Sequence, residues 1–592
     1  MSAFVLFHGN HPEWEDTAKK VFCQRRIEGG KVFSTSAGKL LLYPKQNVSV
    51  ENYYTAEECS VYCVGTVVYK GFSYSRSLKE IASDYACGKL EIRKLRGAFV
   101  LLLDKEGQVG ILTDETRMYR LYVDEDQSFV STSFLAAASL TSGKINEEAV
   151  IEQILCGYVG GGQTLVQEVL DVSFELERVP WLISINCRSE INTRNVRESM
   201  NDRVKVHAQL LRDYLQDVKA LSEQYGAECG LSGGCDSRLV FSSVNTDCIT
   251  MKSVHTHQTS HVHDNEIKVV KKLSSLYKVP LTIVPTTYLP FLKDGKDDVL
   301  RENILYFDAR NAGNIGAMSQ THTREYKKQV SGGAGVTFSG IGGEIYRNFY
   351  YTNLPFVNMG GWLENKIFEP GAKRLFPSKT YKYAVKCIAE KISSRTGINV
   401  GRFTPSIISK RYFDSYRIPY ALGNVVNANN QMSFYLAPFT EKELIEEAKK
   451  DRDYEDHSGS FEGKIISEFD PAAAAVTSSR GFPLSAVPKS VTTKWKIMGL
   501  LPSCVWRMYE KRHRNNPSQK KAYAELKANS PYYREALSWF QSNFQEWNYS
   551  VVEEGSMPLN NFVFTVCAVY ELWKNFSVRI NNQKQTFQNR IQ

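Results

Sequence analysis

The residues best suited to do chemistry are Ser232-Gly233-Gly234-Cys235-Asp236-Ser237. They follow the apolar run Ala227 to Leu231 and open a helical pattern at Asp236. Two adjacent glycines at such a strand–helix junction let backbone N–H groups approach an anion closely. The helix adds unpaired N–H groups and the positive end of its dipole. Ser232 and Ser237 supply hydroxyl donors, and Asp236 stands where a carboxylate holds a Mg²⁺ that bridges phosphates. The chemistry predicted is the binding of a polyphosphate. The chain has no GxxxxGK[ST] sequence, so the loop is not of the Walker type. A second glycine segment, Ser339-Gly340-Ile341-Gly342-Gly343-Glu344, follows the strand-like run Val336 to Ser339. From the residues alone, Glu344 reads as the acid of a helix N-terminus.

These loops need a frame. At 592 residues the chain exceeds what one hydrophobic core serves, so two domains are expected, residues 1–200 and 201–592. The first is strand-rich, with short β-type runs at Val61 to Tyr69, Ala98 to Leu103, Val109 to Thr113 and Arg120 to Val123, and helical spacing at Glu147 to Cys156. In the second, helix and strand alternate. Val204 to Leu221 reads as a helix, Ala227 to Leu231 and Cys248 to Val254 as strands, Asn265 to Tyr277 as an amphipathic helix, and Leu281 to Val284 as a further strand. This rhythm predicts an α+β domain followed by an α/β domain, whose parallel sheet is covered by helices on both faces. Beyond about residue 345 the chain reads as helical and aromatic. Thr256 to Ser260 is expected as a loop. It sits within a run of histidines, His255, His257, His261 and His263, that ends at Asp264. That spacing suits a transition metal, but a solvated loop or a substrate-contacting histidine is the preferred reading.

Composition narrows the classes. Hydrophobic residues make up 42% and charged residues 23%, as in an ordinary folded protein. The net charge of +9 is small for this length, and the Lys511, Arg512, His513, Arg514, Lys520, Lys521 cluster reads as a solvated face, so nucleic acid is not an expected partner. No stretch reaches the ~20 apolar residues of a membrane span, and Met1 to Gly9 lacks the basic region of a signal peptide. The 12 cysteines are scattered without a CxxC pair, which favours buried thiols in a reducing compartment and disfavours a zinc ribbon. A cytoplasmic location without membrane contact is expected.

The loop Ser232 to Ser237 resembles that of the PP-loop ATP pyrophosphatases, and among them the asparagine-synthetase and β-lactam-synthetase group. The resemblance implies an adenine-nucleotide α-hydrolase-like sheet with helical additions. It also implies ATP and Mg²⁺ as cofactors and an enzyme that adenylates a carboxylate, releases pyrophosphate and couples the acid to an amine. On this reading Leu231, Ser232, Gly233, Gly234, Asp236, Ser237 and Gly340 hold ATP and its pyrophosphate, Met251 lies on the strand whose backbone reads adenine, and Asp236 and Glu344 hold the metal. Asp264 to Glu266 resembles the family's acidic helix start, and Tyr435 to Phe439 its segment lining the substrate. Arg480 to Lys496 resembles the family's C-terminal Lys/Arg segment, in which Lys489, Lys494 and Lys496 are candidates for the catalytic lysine, and Arg347 is a further catalytic candidate. Arg238, Ile341 and Gly342 fall on the substrate side. Arg238 and Arg347 either anchor an anionic substrate or pair with structural acids. Ile341 departs from the Glu or Tyr found there in the family, which points away from asparagine and β-lactams as products.

Residues 1 to about 195 resemble the class II glutaminase domain that precedes the synthetase domain in asparagine synthetases, an Ntn-hydrolase-like αββα sandwich. The matching segments are Leu95-Arg96-Gly97-Ala98-Phe99, Thr113-Asp114-Glu115 through Leu121-Tyr122, and Ser131 to Leu135. That chemistry needs an N-terminal Cys whose own amine is the base, whereas this chain begins Met1-Ser2-Ala3. The family's oxyanion Asn falls on Val64, and Cys63 reads as core. The domain is therefore expected to release no ammonia. The amine is then free ammonia, a bound small molecule, or a group of the same substrate, as in β-lactam synthetases and lasso-peptide cyclases. The expected partners are small-molecule or peptide carboxylates and amines, and a homodimer is admissible. Two other readings remain open, a PP-loop enzyme that modifies tRNA and a non-catalytic nucleotide-binding protein.

Overall fold

The computed structural model describes residues 3–9, 11–185, 199–246, 249–259, 264–286, 298–311, 324–347, 358–401, 411–450, 458–500 and 517–580. Ser2, His261, His263 and the stretch 511–514 lie outside these residues. Lys520 and Lys521 are exposed.

The N-terminal half is built on two sheets. Strand β1 (Ala3–Phe7) is an unbroken apolar run, which is the pattern of a strand covered on both faces. Helix α1 (Pro12–Gln24) leads to β2 (Lys31–Thr35) and β3 (Gly38–Tyr43). Next come β4 (Tyr53–Tyr54), β5 (Ser60–Gly65), β6 (Val68–Tyr69) and helix α2 (Tyr74–Ala86). Strands β7 (Leu95–Arg96), β8 (Phe99–Lys105), β9 (Gln108–Thr113), β10 (Tyr122–Asp124) and β11 (Phe129–Ser131) precede helices α3 (Phe134–Thr141) and α4 (Glu147–Cys156). Strands β12 (Val169–Asp171) and β13 (Ile183–Ser184) close the half. The first sheet has the order β12-β10-β11-β1-β3-β2 and is antiparallel; the second has the order β13-β9-β8-β5-β4, with β13 parallel to β9 and the other pairs antiparallel.

Side chains alternate along β5 and β8 between two cores. Tyr62, Val64, Val100 and Leu102 join the core between the sheets, whereas Val61, Cys63, Leu101 and Leu103 join a second core beneath α2. This is the period-2 rule of a strand buried on both faces.

The second half begins with helix α5 (Met200–Tyr225), β14 (Ala227–Gly230), α6 (Asp236–Thr246), β15 (Met251–Thr259), α7 (Asp264–Tyr277) and β16 (Leu281–Thr286). Strands β17 (Val336–Phe338) and β18 (Phe434–Leu436) complete a five-stranded sheet of order β16-β15-β14-β17-β18, parallel throughout. Thr256 to Thr259, expected as a loop, instead extend β15. They pair with β16 from Ile283 to Thr286, so the edge strand recruits polar residues that composition alone assigns to a turn. Most of the remaining described chain is helical. No helix among the described residues is long and apolar enough to cross a membrane.

The cores do not respect a boundary at residue 200. The core between the N-terminal sheets continues into Leu300, Tyr412 and the helix Asn560–Asn575, and the core beneath α2 continues into α5 and the parallel sheet. Lys45 fastens the same junction. It is buried, and its ammonium donates to Asn430 O (3.0 Å), Asn430 Oδ1 (3.2 Å) and Ser433 O (3.1 Å). Burial pushes its pKa down from 10.5 to about 7. Above pH 7 the unfolded chain therefore holds a proton that the folded chain has released, so this group makes stability rise with pH from about 7 to about 10. Lys45→Met is expected to remove that rise in urea titrations. It is also expected to cost about 1–3 kcal/mol at pH 7, because buried oxygens lose their donor.

Candidate functional site

Strands β14, β15 and β16 run outward on one side of the sheet, while β17 and β18 lie on the other side of β14. The order reverses at β14, and the crevice beyond the carboxyl ends of the strands at such a switch point is where open parallel sheets place ligands. Both glycine loops open there. Ser232 to Cys235 link β14 to α6, and Ser339 to Gly342 follow β17.

The first loop is held by its own serines. Ser237 Oγ accepts from Ser232 N (3.0 Å) and lies 2.9 Å from Ser232 Oγ, which accepts from Gly234 N (3.3 Å). Ser479 donates to Gly233 O (3.3 Å), and Leu231 N donates to His255 O (2.9 Å) on β15. The two loops touch backbone to backbone. A Cβ on Gly340 would lie 2.6 Å from Ser237 N, and one on Gly343 would lie 2.4 Å from Asp236 Cγ, so both positions require glycine to let the second loop reach the start of α6.

Asp236 is the centre of the charge arrangement. Arg347 Nη2 donates to Asp236 Oδ2 at 2.6 Å, and Arg347 Nε pairs with Glu462 Oε1 at 3.1 Å. Glu462 is buried on the helix Ser460–Phe469, which packs against α5 and α6. Burial raises the pKa of both Asp236 and Glu462, and Arg347 and Arg480 pull them back down; the nearby Glu344 carboxylate raises Asp236 further. Burial also pushes the Cys235 thiol up to about 12, which keeps it protonated and unreactive near neutral pH. Asp236 Oδ1 is enclosed and has no hydrogen-bond partner.

This set fits one divalent cation of the magnesium kind. Mg²⁺ is commonly held by one or two carboxylates, the other positions going to water and phosphate oxygens. Asp236 Oδ1 and Glu344 supply that number, although Arg347 already occupies Oδ2. Among the described residues no group of three or more His, Cys, Asp or Glu is placed to hold a metal ion. His255 gives its Nδ1 to Glu228 (2.8 Å) and His257 pairs with Tyr326 (2.7 Å), so neither is left as a metal cluster.

Several expected site residues stand elsewhere. Met251 pairs with Ala227 at the start of β14, whereas Gly230, beside the loop, pairs with His255. Four residues of strand separate the two positions, about 13 Å. The backbone flanking the loop is therefore that of His255 to Thr259, not of Met251. Arg238 is fully buried and donates to Val476 O (2.7 Å), which makes it a core side chain rather than an accessible anion anchor. Lys489 and Lys494 are exposed on the helix Lys489–Leu500, and the Lys496 side chain lies outside what is described. Besides Arg347, the cation close to the loop is Arg480, which donates to Ser458 O (3.2 Å) and follows Ser479. Ile341 is half-buried, with its N–H on Ser339 Oγ, and Gly342 packs under Phe439 of the segment after β18. Glu462 escapes sequence reading because it lies far along the chain from Asp236 and carries no motif of its own, whereas Arg480 opens the segment Arg480 to Lys496, in which sequence reading singles out the lysines instead.

In the N-terminal half Val64 is buried opposite Val100 on β8 and has no side-chain donor to offer. Cys63 is buried, and burial pushes its thiol up to about 12. No family model matches the chain, and no curated protein matches it.

Proposed function

We propose that this chain is an ATP-dependent ligase of the asparagine-synthetase type, with a PP-loop synthetase half and a glutaminase-like half that has lost its chemistry. It adenylates a carboxylate, releases pyrophosphate and joins the acid to an amine, in the cytoplasm. The observation that carries this reading is the meeting of two glycine loops at the switch point, with Asp236 and Glu344 on adjoining turns.

In this reading the N–H group of Gly233 and the first turn of α6 face the pyrophosphate end of ATP, and the Ser232 and Ser237 hydroxyls donate to it. Asp236 and Glu344 would hold Mg²⁺, which neutralises phosphate charge when bound. Arg347 fixes the rotamer of Asp236, and Glu462 fixes Arg347. Arg480 adds positive potential where charge develops on the leaving pyrophosphate. His255 to Thr259 present backbone groups to the base.

The test is pyrophosphate release from Mg·ATP across a panel of carboxylic acids with amines. We expect release that depends on one acid class, and a drop of about 100-fold or more in Asp236→Asn. Equal turnover by that variant overturns the mechanism. Binding of ATP without turnover of any acid assigns the chain to the nucleotide-binding proteins, and stimulation by bulk tRNA assigns it to base modification. The N-terminal half is expected to release no glutamate from glutamine, because Val64 offers no oxyanion donor and the Cys63 thiol is held protonated. An assay of glutamate production checks this directly.

A further inference from the structure

The carboxyl end of the parallel sheet has one apolar and one polar face. Cys229, Val254, Phe338 and Leu436 stand side by side on β14, β15, β17 and β18 and join the core shared with α5 and α6. Glu228, His255, Thr337 and Tyr435 alternate with them along the same strands and face the other way. On that face Glu228 Oε2 lies 2.8 Å from His255 Nδ1. Glu228 is buried, while 9% of the His255 side-chain surface stays open. A carboxylate only accepts, so the hydrogen sits on Nδ1 and the neutral ring turns a lone pair outward at Nε2. This Nε2 has no hydrogen-bond partner among the described residues. It lies over Gly230, 3.4 Å from where a Cβ would stand, and Gly230 is two residues before Ser232. The backbone holds that placement, since Gly230 pairs with His255 and Leu231 N donates to His255 O (2.9 Å). His257, the next residue on this face, is engaged by Tyr326.

Joining an amine to an acyl-adenylate requires a group that accepts the proton of the amine. The acids beside the glycine loops have other tasks: Asp236 and Glu344 would face the metal, and Glu462 is paired with Arg347. Ile341 has no basic atom, and burial keeps the Cys235 thiol protonated. We propose that His255 is the general base of the amide-forming step and that Glu228 is its positioning residue, an inference that rests on the ligase reading. The amine nitrogen attacks the acyl carbon, the bond from that carbon to the phosphate oxygen breaks, and AMP leaves with the electron pair. The proton given up by the nitrogen passes to His255 Nε2 and from there to water. Glu228 fixes the plane of the ring and stabilises the imidazolium that forms.

Running the acid panel on the full chain with Mg·ATP separates the two half-reactions. Acid-dependent exchange of labelled pyrophosphate into ATP reads adenylation, which needs no amine. Ammonium and hydroxylamine are the probe amines: ammonium has to lose a proton before it attacks, whereas hydroxylamine is largely a free base at neutral pH. In His255→Gln the ratio of amide formed from ammonium to exchange is expected to fall about 100-fold or more, and the ratio of hydroxamate to exchange less than about 10-fold. Glu228→Gln keeps an acceptor for Nδ1 but not the charge. It is expected to lower the ammonium ratio about 10-fold, and it carries the test if His255→Gln does not fold. An unchanged ammonium ratio in either variant, or an equal fall of the ammonium and hydroxylamine ratios, overturns this proposal and leaves the ligase reading standing. Exchange by the natural chain without amide from ammonium does the same. No acid-dependent exchange by the natural chain overturns the ligase reading and this proposal with it.

Discussion

Asp308→Asn is expected to lower the free energy of unfolding by about 3–5 kcal/mol, the cost of leaving a buried charge without its partner. Asp308 has no exposed surface, and its carboxylate does two jobs at once. It pairs with Arg25, itself sealed from solvent, and it accepts from Ser133 Oγ (2.9 Å), Phe134 N (2.7 Å) and Leu135 N (3.1 Å) at the start of α3. An amide keeps the shape but supplies no charge for Arg25, and one of its two positions is a donor facing donors. The comparison is Asp84→Asn, which removes the partly exposed pair with Lys70 and is expected to cost less than about 1 kcal/mol. Urea titrations of both variants beside the natural chain check the contrast. A loss below 1 kcal/mol in Asp308→Asn would show that the junction relaxes around the missing charge.

Arg347→Met is expected to have the second large effect, and its size shrinks as pH falls. The natural side chain stands between Asp236 and Glu462, which burial already pushes above the ordinary carboxylate range. Removing the cation raises both further. The folded chain then binds protons that the unfolded chain has lost, so stability falls as pH rises through the window that opens near pH 4–4.5. The variant is expected to be several kcal/mol less stable than the natural chain at pH 8 and to recover most of the difference by pH 5. Adding Glu462→Gln to Arg347→Met should restore part of the stability at pH 8, and the double-mutant cycle reads the coupling directly. A deficit that does not change between pH 5 and pH 8 would mean that Arg347 acts through packing alone.

What the sequence disclosed was what is local. The junction at Ala227 to Ser237 places a strand, a glycine turn and a helix start within a dozen residues, and its hydrogen bonds close among Ser232, Gly234 and Ser237. The alternation of helix and strand after α5 was legible for the same reason, since each element shows its own periodicity. The end of β15 was not. Its last residues, Thr256 to Thr259, are polar and read as a loop, and only pairing with β16 makes them strand. That misreading carried Met251 to the wrong end of the sheet. The two readings of Arg238 stay open in the sequence because position after a glycine loop says nothing about which face of α6 a side chain occupies, and the structure buries it. Glu462 was beyond reach, since only the packing of the helix Ser460–Phe469 against α6 brings its part of the chain to Asp236.

The shared core also sets an order on how the chain can be made. Arg579 N donates to Gly143 O (2.7 Å), Ile145 N donates to Arg579 O (2.9 Å), and Gln153 of α4 meets Thr565 of the helix Asn560–Asn575. As the chain leaves the ribosome, the first sheets emerge hundreds of residues before the helix that covers α4. Until that helix arrives, the apolar face of α4 is open to water and to other nascent chains. Domains that fold independently finish as they emerge. This one has to wait for its own far end, which ties its safe production to chaperone cover and makes a truncated N-terminal half a poor candidate for expression on its own.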